Sequence, residues 1–329
     1  MRTRNFGDTG LSCSEIGFGT WALGSTWWGK ITRGEGVNLI ERALDLGITF
    51  FDTGDVYGTG ANEEIVGKAL AVAPRDQIQI STKFGYVLEG GRTEHSQGER
   101  PQDWGAEHVR GALQASLRRL GTDYVDLYQL HNPRMDAVER DDLFEELERL
   151  RDEGLLRHYG VALGPAIGWR EEGLRAIETR RITSDQTVYN VLEQDPGRDF
   201  LEAAAGRGIG VLARVPTSSG LLEDKYTLET TFPAHDHRSH RPREWLVEGL
   251  QKVERLRFLC EQHDLTMAQA ALKFILAQDA IACVLPTVTT ADELEEWAAT
   301  SDKPDLSAGD LDRIAELYER NFDVEPVSA

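Results

Sequence analysis

The sequence predicts a single α/β domain, a (β/α)8 TIM barrel with an N-terminal β-hairpin and additional C-terminal helices. Short apolar segments recur along the 329 residues, mostly at intervals of roughly 25–45 residues, which is the spacing of βα units. The stretches between them have the periodicity of amphipathic helices. No Pro/Gly/Ser-rich linker interrupts residues 1–329. A doubly wound sheet is the alternative, but residues 17–20 (GFGT) match its Gly-rich turn poorly.

Eight segments are the predicted strands, and the helices lie between them. The strand segments begin at Ser14, Ile48, Ile78, Tyr124, Leu156, Ser184, Gly208 and Ile281. Helical periodicity is clear in residues 36–46, 109–120, 143–150 and 250–259, and Gly121 is a candidate C-cap. The turn-forming residues 7–10 (GDTG) predict a hairpin that covers the bottom of the barrel.

Composition excludes several classes of function. The chain has 36 basic and 56 acidic residues, a net charge of −20, which argues against binding to nucleic acid or to anionic membranes. No apolar run approaches the ~20 residues of a spanning helix, and residues 1–10 resemble no secretory signal. The three cysteines form no CxxC pair, which is typical of reduced cytoplasmic proteins. A cytoplasmic location and no metal site are therefore expected.

Ionisable residues follow three consecutive predicted strands. Asp52, Lys83 and His131 each come directly after an apolar run, and Tyr57 lies in the loop after Asp52. Each alone is explained as well by a structural ion pair, but strand ends converge at the mouth of a barrel. A tyrosine is a poor acid–base at neutral pH unless a neighbouring ammonium lowers its pKa. The set is suited to proton transfer at an oxygen, with Asp52 holding Lys83 and His131 orienting the substrate.

These residues also carry a resemblance to a known family. The segments FFDTGDVYG, STKFG and DLYQLHNP, and the layout of strands over nearly the whole chain, resemble the aldo-keto reductases. The resemblance implies a barrel that moves a hydride between a nicotinamide cofactor and a carbonyl or alcohol. It makes Tyr57 the general acid or base, Lys83 and Asp52 the groups that tune it, and His131 the residue that orients the carbonyl.

The resemblance further implies a set of cofactor contacts, with departures. The implied contacts are Gly19, Thr20, Trp21, Asp52, Gln186, Arg214, Pro216, Arg238, Thr287, Glu293 and Glu296. Ala162 and Leu163 stand where many members have a Ser-Asn pair that holds the carboxamide, and only Gln186 matches the third holder. Arg214 replaces a stacking tyrosine. A guanidinium can also stack on a ring, but its charge opposes the oxidised cofactor.

The turn after the last strand favours NAD(H) over NADP(H). Members that bind the 2′-phosphate have a Lys where Thr287 stands and an Arg where Glu293 stands. A carboxylate repels the phosphate but accepts hydrogen bonds from a free 2′-hydroxyl. In the alternative, Glu293 is a solvated helix charge and Arg238, Arg241 or Arg243 supplies the missing positive charge.

Two functions follow from this pattern. The first is an oxidoreductase acting on a small carbonyl or alcohol such as an aldehyde, ketone or sugar. The alternative, kept open by the altered carboxamide residues, is a cofactor-binding regulatory subunit resembling the β subunits of potassium channels. Trp27 and Trp28, with Tyr57, His131 and the loop 85–104, predict an aromatic-walled substrate pocket. Plain packing explains these tryptophans almost as well.

Overall fold

A computed structural model describes residues 1–24, 31–88, 100–164 and 167–325. Within these ranges a two-stranded antiparallel sheet precedes an eight-stranded parallel sheet. The antiparallel pair consists of β1 (Thr3–Asn5) and β2 (Ser12–Ser14). The parallel strands are β3 (Phe18–Gly19), β4 (Phe50–Asp52), β5 (Gln79–Phe84), β6 (Val125–His131), β7 (Leu156–Ala162), β8 (Ser184–Val188), β9 (Gly210–Arg214) and β10 (Ile281–Leu285).

The parallel sheet closes into a barrel. Each strand from β3 to β10 pairs with its neighbour in chain order. Two parallel bridges, from Ile16 to Val284 and from Gly19 to Thr287, join the first strand to the last. Unbroken parallel order results when each connecting helix returns the chain to the start of the next strand. The predicted (β/α)8 architecture is confirmed.

Helices alternate with the strands and form the outer layer. They are α1 (Arg33–Asp45), α2 (Ala61–Leu70), α3 (Ala106–Leu120), α4 (Met135–Val138), α5 (Asp141–Asp152), α6 (Arg170–Thr179), α7 (Gly197–Ala205), α8 (Arg243–Arg255), α9 (Arg257–His263), α10 (Met267–Leu276), α11 (Ala291–Ala299) and α12 (Ala308–Glu319). A long excursion, residues 215–266, contains α8 and α9 and connects β9 to α10. The last helix, α12, is an additional C-terminal helix. In the described ranges, no helix is long and apolar enough to cross a membrane.

One helix prediction is wrong. The segment 250–259, expected as a single helix, is divided between α8 and α9 at Leu256. Leu256 is completely buried, and the break lets α8 pack on the 3₁₀ segment Ser218–Glu223 while α9 packs on α10. Hydrophobic periodicity runs through the break because buried residues keep a helical spacing on both sides of it. By contrast, α3 ends as expected at Gly121, which adopts a left-handed conformation with φ 65°.

The amino-terminal hairpin covers one end of the barrel. Phe6 is completely buried and stacks on Phe50 of β4 with ring centroids 5.9 Å apart. The Asp8 amide donates a hydrogen bond of 2.8 Å to the Gly208 carbonyl. A Cβ atom at Gly7, whose φ is +53°, would lie 2.1 Å from that carbonyl oxygen, so the turn requires glycine there. The carboxyl ends of the strands form the opposite, open end.

Candidate active site

The carboxyl ends of the barrel strands surround a cleft of about 920 Å³, a volume typical of ligand sites. Most of the residues predicted for catalysis or cofactor binding line it: Gly19, Thr20, Trp21, Asp52, Tyr57, His131, Gln186, Arg214, Pro216, Arg238, Thr287 and Glu293. Lys83 lies beneath the cleft floor. Glu296 lies apart, and its carboxylate accepts a hydrogen bond of 2.6 Å from the Thr266 hydroxyl. Trp27 and Trp28 lie outside the described residues.

The floor of the cleft contains a buried ion pair. Lys83 on β5 is 1% exposed, and its Nζ donates to Asp52 Oδ2 over 2.6 Å and to the Thr53 carbonyl over 2.7 Å. Asp52 ends β4, the strand that pairs with β5. Burial lowers the pKa of Lys83, but the Asp52 carboxylate and the Tyr57 hydroxyl together raise that pKa above its ordinary value. The ammonium therefore stays protonated below the cleft.

Tyr57 lies directly above this pair. It begins the 3₁₀ turn Tyr57–Gly60 that follows β4. Lys83 Nζ is 5.1 Å from the centroid of its ring, and the His131 ring meets it edge-on with centroids 5.7 Å apart. The phenol is thus held between an ammonium and an imidazole, and the four residues predicted for proton transfer come together.

His131 ends β6 and is neutral. Burial, Lys83 and Arg214 hold the pKa of His131 well below its ordinary value. Its ring also meets Tyr86 edge-on at 5.1 Å, and Asn132 Nδ2 donates to the Tyr86 hydroxyl over 2.8 Å. Tyr86 and Asn132 line the cleft. Tyr86 lies in the loop 85–104 that was predicted for the pocket, whereas Asn132 was missed by the sequence analysis. Asn132 directly follows a predicted strand, which is the signal that could have identified it.

The wall formed by β8 and β9 presents donors to the cleft. Gln186 is 1% exposed, and its Nε2 has no hydrogen-bond partner among the described residues. Arg214 ends β9, and one of its terminal nitrogens donates to the Leu163 carbonyl over 2.7 Å. Burial lowers the pKa of Arg214, although a guanidinium remains charged in proteins. This wall therefore combines an unpartnered amide donor with a cation.

Several residues with a strained backbone conformation lie around the same cleft. Among the described residues, four non-glycine residues with positive φ line it: Thr59 (51°), Asn132 (55°), Val215 (57°) and Ser219 (56°). For a β-branched residue such as Val215 this conformation is a genuine outlier. Strain of this kind persists where the surrounding structure imposes it, and it clusters at functional sites.

The excursion after β9 folds across the rim of the cleft. Its 3₁₀ turn His237–His240 brings His237 edge-on to Trp21, with ring centroids 4.9 Å apart. The same turn brings Arg238 to the cleft. The Arg238 guanidinium is bound to both carboxylate oxygens of Asp236, at 2.8 and 2.6 Å. Its charge is therefore balanced within the turn.

Glu293 lies in the first turn of α11. One carboxylate oxygen accepts from the amide and the hydroxyl of Thr289, at 2.9 and 2.7 Å, and the other is paired with Lys225. Burial raises the pKa of Glu293, but Lys225 and Thr289 lower it below its ordinary value overall. Lys225, missed by the sequence analysis, also pairs with Glu223 at 2.7 Å. Two carboxylates thus surround one ammonium at this end of the cleft.

The polar groups of the cleft wall fit a nicotinamide cofactor. The buried amide nitrogen of Gln186, which has no partner within the described ranges, matches the need to hold a carboxamide. In the described ranges, no group of three or more His, Cys, Asp or Glu side chains is arranged to hold a metal.

Comparisons with known proteins agree with this architecture. The model of the Aldo/keto reductase family matches residues 15–319. A probable aldo-keto reductase of Glycine max is 32% identical over 295 residues, which cover 88% of this chain and 81% of the relative. Among solved structures, a glycerol dehydrogenase from Gluconobacter oxydans superposes with a TM-score of 0.83 at 26% identity, covering 99% of this chain and 98% of its own. The holo form of an aldo-keto reductase from Bacillus halodurans has a TM-score of 0.76 at 28% identity, covering 96% of each chain.

Proposed function

This chain belongs to the aldo/keto reductase family, and from that premise we propose that it interconverts a small carbonyl compound and its alcohol, with Tyr57 as the general acid or base. The observation that carries the proposal is the convergence of Asp52, Tyr57, Lys83 and His131 at the cleft floor. A phenol, an ammonium and a neutral imidazole within a few ångströms of each other are suited to proton transfer at a carbonyl oxygen.

Each of the four side chains has a distinct part in this proposal. In the reducing direction Tyr57 donates its hydroxyl proton to the carbonyl oxygen, and in the oxidising direction it takes the proton back. The Lys83 ammonium stabilises the negative charge left on the phenol oxygen. Asp52 holds Lys83 in place through the 2.6 Å ion pair. His131, neutral because burial and its cationic neighbours lower its pKa, orients the carbonyl by a hydrogen bond.

The chain's own residues would hold the cofactor along the cleft. When bound, the nicotinamide supplies or accepts the hydride. The Gln186 amide nitrogen, which has no partner among the described residues, would donate to the carboxamide. The Arg214 guanidinium would stack on the nicotinamide ring. Gly19, Thr20, Trp21, Asp52, Pro216, Thr287 and Arg238, all on the cleft lining, remain the predicted contacts, as does Glu296 for the adenine.

We infer a preference for NAD(H) over NADP(H). Lys225 is shared between Glu223 and Glu293, and Arg238 is balanced by Asp236. Two carboxylates therefore share one ammonium at the α11 end, and this local negative charge disfavours a 2′-phosphate, which carries between one and two negative charges. The measurement is kcat/KM for NADH and for NADPH at matched ionic strength. A tenfold preference for NADPH would contradict the inference and point to Arg241, a further arginine of the excursion that lines the cleft.

The regulatory alternative is favoured by one observation. Ala162 and Leu163, at the end of β7, offer the cleft no side-chain hydrogen bond, so Gln186 alone remains of the three implied carboxamide holders. A subunit that binds the cofactor without turnover would tolerate this loss.

Turnover separates the two functions. We expect oxidation of the reduced cofactor, followed by its absorbance, with members of a panel of aldehydes, ketones, aldoses and dihydroxyacetone. The last is included because one structural neighbour is a glycerol dehydrogenase and because Tyr86, Asn132 and Arg100 make the cleft wall polar. Tight cofactor binding with no turnover of any member would favour the regulatory function instead.

A further inference from the structure

A chain of hydrogen-bonded side chains crosses the barrel interior beneath the cleft. Asp52, Ser81, Gln129 and Ser184 come from β4, β5, β6 and β8. Ser81 Oγ donates to Asp52 Oδ1 over 2.9 Å. Gln129 Nε2 donates to Ser81 Oγ over 2.9 Å and to Asp52 Oδ1 over 3.4 Å. Ser184 Oγ donates to Gln129 Oε1 over 3.4 Å.

These polar side chains replace the apolar filling of an ordinary barrel. Ser81, Gln129 and Ser184 are all completely buried, whereas barrel interiors are usually filled by branched apolar residues. β7 contributes Gly160 at this level, and a Cβ atom there would lie 2.0 Å from Ser184 Oγ. A buried polar group is costly unless it is hydrogen-bonded. Here the hydrogen bonds run in series and end on one carboxylate oxygen of Asp52.

We propose that Ser81 and Gln129 are positioning residues for the proton-transfer site, acting through Asp52. Lys83 occupies Oδ2 of that carboxylate at 2.6 Å, and Ser81 and Gln129 occupy Oδ1. Hydrogen bonds to a carboxylate favour its charged form and fix its rotation. With Oδ1 held, Oδ2 stays on Lys83, and Lys83 stays below Tyr57. This inference rests on the proposed function of Tyr57.

The location of the two residues predicts which kinetic constant they affect. Neither Ser81 nor Gln129 is among the residues that line the cleft, whereas Asp52 is. Asp52 itself stays in place in variants of Ser81 or Gln129, so their loss should lower the rate of the chemical step much more than it weakens cofactor or substrate binding. An interaction made for the transition state lowers kcat, while one made equally in the ground state raises KM.

The test compares Ser81→Ala with a matched control, Ser184→Ala. Both serines are completely buried, but Ser184 is separated from Asp52 by Gln129. A hydrogen bond to a charged group is strong enough that we expect roughly tenfold lower kcat for Ser81→Ala. We expect KM and cofactor Kd, the latter measured by fluorescence titration, to stay within about twofold of the parent. Ser184→Ala should keep kcat within about twofold while losing a similar amount of thermal stability.

Two further variants keep the test decisive. Ser81→Thr keeps the hydroxyl and should restore most of the lost kcat. Gln129→Met preserves length without the amide and should also lower kcat alone, and it replaces Ser81→Ala if that variant does not fold. The proposal is overturned if Ser81→Ala and Gln129→Met retain kcat within about twofold, or if Ser184→Ala loses as much kcat as Ser81→Ala. Tyr57→Phe is measured alongside: its retention of full activity would refute the proposed function itself, a result distinct from either of these.

Discussion

The floor of the cleft and its β8–β9 wall differ in whether their buried polar atoms have hydrogen-bond partners. On the floor, Lys83 donates to Asp52 and to the Thr53 carbonyl, and Asp52 also accepts from Ser81, all at 2.6 to 2.9 Å. In the wall, both carboxylate oxygens of Asp185 and the Nε2 of Gln186 have no partner among the described residues. Two separate parts of one barrel, β4–β5 and β8–β9, thus carry one site whose polar atoms are hydrogen-bonded and one whose polar atoms lack partners among the described residues.

The difference separates two uses of a buried polar group. A saturated ion pair is a preorganised source of charge, which is what proton transfer at the floor requires. An unpartnered donor such as Gln186 is available to a ligand. Asp185 precedes Gln186 on β8, so its side chain points to the opposite face of the strand, away from the cleft. Burial raises the pKa of Asp185 to about 8 against the opposing effect of Arg214, so this carboxyl lowers stability.

The largest expected effect is on kcat, and it tests proton transfer at the floor of the cleft. Tyr57→Phe keeps the ring and removes the transferable proton, so kcat should fall by roughly 10²–10⁴, the scale of general acid–base catalysis. Cofactor Kd should be unchanged. Tyr159→Phe is the control, because Tyr159 donates to Glu148 and does not line the cleft. A Tyr57→Phe enzyme within a few-fold of the parent would contradict the assignment.

The next largest expected effect is on stability, and it tests the buried Asp185 carboxyl of β8. The unfolded Asp185 carboxyl ionises near pH 4, whereas the folded one keeps its proton up to about pH 8. Unfolding therefore releases a proton between these values, and the stability of the parent falls as pH rises through this window. Asp185→Asn cannot ionise. Its free energy of unfolding, relative to the parent, should rise by about 1.4 kcal/mol per pH unit within the window.

Urea unfolding at several pH values between 4.5 and 7.5, the range covered by these two pKa values, measures this difference. The control is Asp126→Asn, because Asp126 is completely buried but paired with Arg75 at 2.7 Å and with Arg157 at 3.0 Å. That substitution should destabilise the protein. A difference between Asp185→Asn and the parent that is the same at every pH would show that Asp185 is ionised in the folded state.

A third prediction concerns the α11 end of the cleft. Glu293→Arg should shift the NADPH/NADH ratio of kcat/KM by roughly tenfold towards NADPH, since it replaces a repelling charge by an attracting one. Glu293→Gln is the matched variant. It removes the charge while keeping an acceptor for the Thr290 capping box, and it should give a smaller shift in the same direction. An unchanged ratio in both variants would mean that Glu293 does not meet the ribose.

A fourth prediction tests the wall as a binding surface. Gln186→Leu removes the unpartnered donor, so cofactor Kd should rise by several-fold, on the scale of a single net hydrogen bond. The kcat at saturating cofactor should change less, the reverse of the pattern expected for the floor. A fall in kcat at constant Kd would remove the distinction between the two regions.

The smallest expected effect is a flat pH response. The pKa of His131 lies well below its ordinary value because of burial, Lys83 and Arg214. His131 therefore stays neutral through the range where an exposed histidine titrates, and the rate of reduction should change by less than about twofold between roughly pH 6 and 7.5. A step near pH 6.5 that His131→Gln abolishes would show that the imidazole is charged in part of this range.

The sequence by itself determined the architecture and the residues at the mouth. Strand and helix periods are local patterns, and a barrel brings the ends of its strands together whatever the details of packing. Asp52, Lys83 and His131 could therefore be identified as neighbours from their positions after apolar runs, and Tyr57 from its place in the next loop. The predicted pocket role of Trp27 and Trp28 stays a prediction.

Only the tertiary structure decided which polar groups find partners. Side chains from distant parts of the sequence decide the Ser81–Gln129 chain and the division of 250–259 at Leu256. They also decide the lack of a partner for Asp185 among the described residues. Strand alternation shows which residues share a face, but it does not show which of them touch. In the same way, the balance of Arg238 by Asp236 depends on how one turn folds. Pairing of buried polar groups is a property of three-dimensional packing at ångström scale, because hydrogen bonds weaken steeply with distance and angle.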